Sequence, residues 1–203
     1  FDGRVNHPTI EGPKFYKRNG WYYIFAPAGG FATGWQTVLR SRNVLGPYED
    51  RIVLRQGTTE VNGPHQGGYV ETREGDSWFV HFQDRGVYGR ILHLQPMVWK
   101  GDWPVIGADP DGDGVGEPVR TFRKPLKIPA AVMTAPQTSD EFEATHLGLQ
   151  WQWNANPVPG WTSLSARPGW LRLHAVPRSE SVKSVFDLPN VLMQKTPAEE
   201  FTA

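Results

Sequence analysis

The 203-residue sequence contains no cysteine, which excludes a disulfide framework and a thiolate zinc site. It also has no net charge, because 21 basic residues balance 21 acidic ones. Without a basic excess the chain lacks the electrostatic footprint of nucleic-acid or anionic-membrane binding, so we expect neither partner. No run of about eighteen apolar residues is present, and we expect no membrane-spanning helix. The sequence begins at Phe1 without an initiator methionine or signal peptide, so we expect a processed, trimmed or partial chain.

Turn-forming and aromatic residues are abundant: the chain holds 22 glycines, 18 prolines and nine tryptophans. Short runs of β-branched and aromatic residues are separated by Gly, Pro, Asn and Asp throughout. No segment shows the apolar periodicity of an amphipathic helix of three turns. The pattern therefore predicts an all-β protein.

One stretch near the start organises the rest of the chain, the segment His7–Pro13 with Glu11 at its centre. It leads through Asn19 and Gly20, a dipeptide typical of a type I′ hairpin, into the aromatic strand 21–25. Glu11 is thus predicted at the mouth of a hairpin. Its side chain is either an ordinary solvated loop glutamate or a group that faces a cleft.

An internal repeat relates two parts of the chain. Glu11 aligns with His65 at an offset of 54 residues (65 − 11), and an aromatic residue follows each of them four positions later. Each copy continues with a polar turn (17–20, 73–76), an aromatic strand (21–25, 78–82) and a third strand (36–41, 91–98), and the first copy has a fourth strand near 51–55. Units of this kind are typical of β-propeller blades, although a β-sandwich built of meanders would give the same pattern.

In a propeller, equivalent positions of successive blades converge on one axis. Glu11 and His65 would then be neighbours at the channel mouth, and Trp35 and Arg90 would form a second pair on the adjoining loops. An acid, an imidazole, an indole and a guanidinium around one depression suit a sugar site. The alternatives are that His65 is a hydrogen-bonded core histidine and that Trp35 is a core tryptophan of its blade.

An acidic turn follows the second repeat, with Asp109, Asp111, Asp113 and Gly114 matching the first half of a calcium loop. The twelfth position of that pattern is Arg120 instead of a bidentate glutamate, and no flanking helices are predicted. The turn is therefore either a calcium site or an acidic surface turn.

A proline-punctuated stretch, residues 123–137, reads as a linker. Beyond it the tryptophan-rich segment 147–154 and the alternating segment 170–175 predict a second all-β unit, most simply a sandwich. We therefore expect domains at 1–127 and 138–203, the second too short to complete an independent core.

Five motifs in order carry a family resemblance: H-P-T-I-E-G-P (7–13), Y-Y-I-F-A-P-A-G-G (22–30), T-G-W-Q-T-V (33–38), G-P-H-Q-G-G (63–68) and W-P-V-I-G (103–107). Together they resemble glycoside hydrolase family 43, in its β-xylosidase and α-L-arabinofuranosidase branch. Residues 138–142, 147–154, 167–169 and 171–173 resemble the concanavalin A-like sandwich that follows the catalytic domain in many members.

The resemblance implies a partial five-bladed β-propeller followed by an incomplete β-sandwich. It implies inverting hydrolysis of glycosidic bonds in xylan or arabinan side chains, on oligosaccharides derived from them. Glu11 then matches the general acid, His65 the histidine at the propeller centre that often adjoins a structural calcium, and Arg90 a sugar-contacting arginine. Trp35 would be a platform on which a sugar ring stacks.

The same resemblance places the general base and a pKa-tuning aspartate upstream, in blades of the same protein that this chain lacks. Roughly two blades and part of a third are then present, so we expect the chain to be inactive alone. We also expect a secreted or periplasmic parent. The alternative function is a non-catalytic carbohydrate-binding protein built on the tryptophan-rich sandwich, and a protein-interaction propeller fits the motifs less well.

Overall fold

The computed structural model describes residues 5–124, 132, 134–197 and 201. The chain divides into two compact units, Phe1–Pro129 and Ala130–Ala203. The described residues form strands and two single-turn 3₁₀ helices, Gly86–Tyr88 and Val185–Asp187, with no α-helix among them. The all-β prediction is confirmed. None of the helices in the described part is long and apolar enough to cross a membrane.

The first sheet holds four antiparallel strands in chain order, β1 (Lys14–Arg18), β2 (Trp21–Ala28), β3 (Trp35–Ser41) and β4 (Glu49–Leu54). Asn19 and Gly20 join β1 to β2 with φ values of 47° and 73°. Both central residues of a type I′ turn need positive φ, so this hairpin forms as its sequence predicts. The fourth strand, expected near residues 51–55, is β4.

The second sheet repeats this order with β5 (His65–Glu71), β6 (Ser77–Asp84), β7 (Arg90–Lys100) and β8 (Trp103–Ile106). The repeat found in the sequence therefore corresponds to two four-stranded meanders. The first strand of this copy begins at His65 itself, four residues before Tyr69. The residues at the start of β5 belong to the strand because His65 pairs with Phe82 of β6, with an irregular register up to Gly68.

An aromatic core joins the two sheets. Tyr23 and Phe25 alternate along β2 and are fully buried, as is Phe79 of β6. The Phe25 ring stacks on Phe79 with 6.0 Å between the ring centroids, and Tyr23 lies 5.0 Å from the ring centroid of Trp99 on β7. Large aromatic side chains at these positions fix the separation of the sheets, and so fix what the strand ends can bring together.

Polar contacts secure the same junction at the turn between β7 and β8. The indole N–H of Trp21 donates to the Asp102 carboxylate at 2.9 Å, and the Tyr23 hydroxyl donates to the Asp102 backbone carbonyl at 2.9 Å. The Arg40 guanidinium donates to the carbonyl of Gly101 at 2.9 Å. The side chains of β2 and β3 therefore hold the second sheet by hydrogen bonds as well as by apolar burial.

A bulge interrupts β5 where the register shifts between His65 and Gly68. Gln66 lies in the left-handed region with φ of 51°, which is uncommon for a residue with a side chain. Gly67 lies flat against Phe79, because a Cβ at that position would be 1.9 Å from the phenyl ring. The bulge therefore requires a glycine at position 67 and holds Gln66 in a strained conformation.

The second unit carries two short antiparallel pairs among its described residues. The strand β9 (Trp151–Trp153) pairs with β12 (Leu192–Gln194), and β10 (Thr162–Ser163) pairs with β11 (Arg172–Leu173). The alternating segment 170–175 thus contributes only a two-residue strand. Most of the linker expected at 123–137 lies outside the described residues, and the domain limits 1–127 and 138–203 stay predictions.

Two neighbouring glycines of the bulge give a matched test of this packing. We expect Gly67→Ala to lower the free energy of unfolding by about 1–3 kcal/mol, because the new methyl group clashes with Phe79. Gly68→Ala should change the unfolding free energy by less than about 1 kcal/mol, because its Cβ would meet only side-chain atoms at 3.7 Å or beyond. Urea unfolding followed by tryptophan fluorescence measures both values. Equal losses for the two variants would contradict the close packing at Gly67.

Candidate active site

A tight turn presents Glu11 at the end of the first sheet. The Ile10 N–H donates to the His7 carbonyl at 3.3 Å, and the Gly29 N–H donates to the Pro8 carbonyl at 2.8 Å. The N–H of Glu11 itself donates to the carbonyl of Pro27 in β2 at 3.1 Å. The backbone is thereby fixed, while 55% of the Glu11 side chain remains exposed to solvent.

Glu11 and His65 are neighbours, as the repeat predicts. The His65 ring is 1% exposed, and its Nε2 lies 2.7 Å from Oε1 of Glu11. The edge of the ring meets Phe82, with 5.8 Å between the centroids. A buried imidazole from the second sheet therefore hydrogen-bonds an exposed carboxyl group from the first. His65 is therefore buried and hydrogen-bonded, as expected for a core histidine, and its hydrogen-bond partner is the candidate acid Glu11.

The neighbours of Glu11 favour its ionised form. The hydrogen bond from His65 is the largest influence and holds the pKa of Glu11 below its ordinary value, and a side-chain hydrogen bond from Gln66 adds to it. The positive charge of Arg90 acts in the same direction. In this arrangement Glu11 is a carboxylate at neutral pH, whereas a general acid must hold a proton. A further group or the substrate must raise the pKa if Glu11 is to act as an acid.

Gln66 is a site residue that the sequence reasoning missed. In a regular strand His65 and Gln66 would point to opposite faces. The bulge and the left-handed backbone of Gln66 instead bring both side chains to the same carboxylate. The glycine pair at 67 and 68 was the available signal, because adjacent glycines within a strand often mark a bulge.

Trp35 and Arg90 each contact a different residue, and their predicted pairing stays a prediction. The Trp35 indole N–H donates to Nδ1 of His7 at 3.3 Å, while the Arg90 guanidinium lies 4.5 Å from the ring centre of Phe82. The segments that precede their strands, β3 and β7, also differ in structure. A tight turn closed by Gly34 leads into β3, and the 3₁₀ helix Gly86–Tyr88 precedes β7.

Trp35 is half-buried, so it shares features of a core tryptophan and of an exposed sugar platform. Its ring covers Gly29, where a Cβ would lie only 2.6 Å from the indole. Its nitrogen is committed to His7, so the indole is a structural part of the first sheet. A sugar platform on the remaining exposed surface of the ring stays a prediction, as does a sugar contact by the exposed Arg90.

The resemblance implies a calcium ion beside His65, and such an ion needs available ligand atoms around this ring. Nε2 of His65 is used by Glu11, and the buried Nδ1 has no hydrogen-bond partner in the described part of the chain. Within that part, the one cluster of three or more metal-binding side chains lies elsewhere, at Asp109 to Asp113. Calcium takes six to eight oxygen ligands, so Nδ1 suits a water molecule or an ion that keeps its own water. The metal at His65 stays a prediction, and no step of the chemistry below depends on it.

The acidic turn has its three carboxylates within 4.8 Å of one another. Two of them already face cations, since Asp113 lies 2.7 Å from Arg55 and Asp109 lies 3.3 Å from Lys100. Arg120, at the position where a calcium loop has its glutamate, pairs with Glu60 at 2.6 Å. Calcium binding at this turn also stays a prediction.

Two sequence profiles match the chain. The profile described as glycosyl hydrolases family 43 matches residues 2–104, and the profile described as beta xylosidase C-terminal concanavalin A-like domain matches residues 139–203. The first covers more than half of the chain. The order of the two matches is the order expected from the motifs.

Curated relatives match along most of the chain. A putative beta-xylosidase of Xylanibacter ruminicola is 56% identical over 93% of this chain and 35% of its own length. A non-reducing end alpha-L-arabinofuranosidase of Bacteroides ovatus is 32% identical over 80% of this chain and 32% of its own length. The chain therefore spans about a third of the length of the curated relatives it matches.

A solved family 43 structure from Bacillus licheniformis has the same fold. It superposes with a TM-score of 0.78 at 28% identity and covers 96% of this chain and 38% of its own. The similarity extends over both compact units.

His65 controls the charge of Glu11, and this can be tested directly. We expect His65→Leu to raise the pKa of Glu11, because the substitution removes the largest influence that lowers it. A carboxyl-carbon NMR titration of Glu11 measures the change. The lowered pKa of Glu11 stabilises the folded protein at pH values above the ordinary glutamate pKa. That stabilisation is lost as the pH falls through the lowered pKa.

His93→Leu provides the control, because the half-buried His93 ring bonds Gln83 and not Glu11. It should leave the titration of Glu11 unchanged. An unaltered or lower Glu11 pKa in His65→Leu would contradict the assigned cause.

Proposed function

Because the chain belongs to family 43 of the glycosyl hydrolases, we propose that it carries the general acid of an inverting glycosidase, with Glu11 in that role. The observation that supports this most directly is the pairing of Glu11 with His65. An exposed carboxyl group on a rigid turn is held by a buried imidazole from a second sheet. An ion pair at an exposed carboxyl group contributes little to stability, so stability alone gives little reason for this contact.

The chemistry requires two carboxyl groups on opposite sides of the bond that breaks. The acid donates a proton to the leaving oxygen while a carboxylate base activates a water molecule on the opposite face of the sugar. The two groups are about 6.5–9.5 Å apart in inverting enzymes, which leaves room for that water. Glu11 supplies the first of these groups in our proposal.

The base is proposed to come from a part of the parent protein that precedes this chain. Several carboxylates of the first unit are already engaged: Asp50 bonds His7, Glu60 bonds Arg120, and Glu71 bonds Tyr69. The chain covers only about a third of the curated relatives' length, so those relatives contain further sequence that could hold such a base.

The protonation of Glu11 is the second requirement. Its present neighbours lower the pKa, so the complete site must add an opposing influence. A second carboxylate nearby, or loss of water when a sugar covers the site, raises a carboxyl pKa. We propose that the upstream aspartate expected from the family supplies the first influence and the bound sugar the second.

The proposed substrates are xylan- or arabinan-derived oligosaccharides, with Trp35 and Arg90 as candidate sugar contacts. The matching relatives include both a putative beta-xylosidase and an alpha-L-arabinofuranosidase. The proposal therefore includes both β-xylosidase and α-L-arabinofuranosidase activity as candidates. Hydrolysis of aryl β-xylosides and aryl α-arabinofuranosides by the full-length parent distinguishes them.

The role of Glu11 predicts a dependence on the leaving group. In the full-length protein that carries this chain, Glu11→Gln should lower turnover by roughly 10²–10⁴-fold on substrates whose leaving group needs a proton. Activated aryl glycosides should lose much less, because their leaving groups depart without protonation. Steady-state kinetics on a matched pair of xylosides or arabinofuranosides measures the ratio.

Glu74→Gln is a suitable control, because Glu74 is an exposed residue in the turn before β6. It should leave both rates unchanged. Equal and small losses on the two substrates for Glu11→Gln would remove Glu11 from the role of acid.

The proposal also predicts that residues 1–203 alone do not hydrolyse glycosides, because the base opposite Glu11 is missing. The purified chain should give no release of chromophore from aryl glycosides at high protein concentration. A rate close to that of the parent would show that the base lies within these residues. The location of the base would then be wrong, while the assignment of Glu11 would stand.

A further inference from the structure

We infer that His7 and Asp50 act as a positioning pair for Glu11, locking the turn that carries its carboxyl group onto β3 and β4. This inference rests on the proposed role of Glu11 as general acid. Neither residue touches the Glu11 carboxylate in the contacts described, so both are positioning residues. The evidence is the set of bonds around the His7 ring and the constraint they place on the turn.

His7 is 3% exposed, although it belongs to a turn at the edge of the sheet. Its Nε2 lies 2.6 Å from a carboxylate oxygen of Asp50 on β4. On the other side of the ring, Nδ1 lies 3.1 Å from the Thr37 hydroxyl of β3. Two strands of the first sheet, β3 and β4, therefore converge on this imidazole.

The tautomer of His7 follows from the indole of Trp35. The indole N–H can only donate, and it points to Nδ1 of His7 at 3.3 Å. Nδ1 must then accept, so the ring proton lies on Nε2 and is donated to Asp50. Every polar atom of the ring has a defined role, which fixes the orientation of the ring as well as its place.

The turn between His7 and Glu11 is clamped at both ends. The His7 side chain holds its start to β3 and β4, and the Glu11 N–H holds its end to Pro27 of β2. Between them, Thr9 has a φ of 55°, a conformation that costs energy in a residue with a β-branched side chain. Such strain persists only where the surroundings impose it, and here the two clamps do so together with the bond from the Gly29 N–H to the Pro8 carbonyl.

The consequence is that the position of the Glu11 carboxyl group depends on His7. If the first clamp is removed, Thr9 can relax and the turn can shift relative to β2. A displacement of about 1 Å at a catalytic group can lower a rate by about 10²-fold. The loss falls on proton donation, so it should depend on the leaving group as the loss from Glu11→Gln does.

The experiment uses the full-length protein and two glycosides of the same sugar, one with an activated aryl leaving group and one with an alkyl or sugar leaving group. His7→Leu should lower kcat on the second substrate by roughly 10–100-fold, with KM within roughly threefold of the parent value. On the activated substrate, kcat should fall less than roughly threefold. A purely structural role for His7 would lower both rates alike.

Two further variants separate positioning from packing. Asp50→Asn keeps an oxygen that accepts the His7 proton, so it should retain most of the activity that Asp50→Leu loses on the poor leaving group. Val53→Ala is the control for stability, because Val53 is fully buried in β4 and touches neither the turn nor its clamps in the contacts described. It should leave the ratio of the two rates at the parent value.

If His7→Leu does not fold, Thr37→Val tests the same clamp, because valine matches threonine in shape but does not donate to Nδ1. It should show the same dependence on the leaving group with a smaller loss, roughly 3–10-fold. Unchanged rates, or equal losses on both substrates, would overturn the inference in either variant.

Failure of the inference and failure of the proposed function give different results. A parent that hydrolyses neither glycoside, or a Glu11→Gln variant without dependence on the leaving group, removes the proposed function and the positioning role with it. A Glu11→Gln variant that shows the dependence, beside His7→Leu and Thr37→Val variants that do not, overturns the positioning role alone.

Discussion

The contact between Glu11 and His65 is the constraint on which the candidate site depends. It joins residues 54 positions apart at 2.7 Å, and it forms only if the two sheets present their ends to each other. The aromatic core between Phe25 and Phe79 sets the distance between those sheets, and the bonds to the β7–β8 turn keep it. The packing of the interior therefore determines the chemistry at the edge, as is usual where a site lies between rigid elements.

The same contact creates a conflict that the chemistry must resolve. His65 donates to an ionised Glu11 and lowers its pKa, while proton donation to a leaving group requires the acid form. A carboxyl group in this position is ionised in the absence of substrate and acquires a proton only when its surroundings change. Covering the site with a sugar removes water from an exposed carboxylate, which favours the neutral form. In the proposed function the acid is then generated by binding, against the positive charge of Arg90, which lowers the pKa of Glu11.

The repeat in the sequence predicted two similar units of antiparallel strands and the meeting of Glu11 with His65. Those features depend on the alternation of apolar residues and on the turn dipeptides, which are local signals. The omission of Gln66 has a different origin. The direction of a side chain at a strand end depends on bulges and on the shape of the preceding loop, and neither has a regular period. The sequence also did not reveal which histidines are buried at the site. His81 is as buried as His65, but it bonds a backbone carbonyl in the core. Burial is the main cause that lowers the pKa of His81 to about 4.

Position and charge of the candidate acid are controlled by different sheets. The first sheet holds the Glu11 turn through His7 and the Pro27 carbonyl, and the second sheet sets the ionisation of the carboxyl group through His65 and Gln66. The two influences reach Glu11 through separate hydrogen bonds, but they adjoin at Gln66. The side chain of Gln66 lies against Gly12 of the Glu11 turn, where a Cβ would be 2.0 Å from the Gln66 amide oxygen. The bulge in β5, with its strained backbone at Gln66, is therefore in contact with the turn as well as with the carboxyl group.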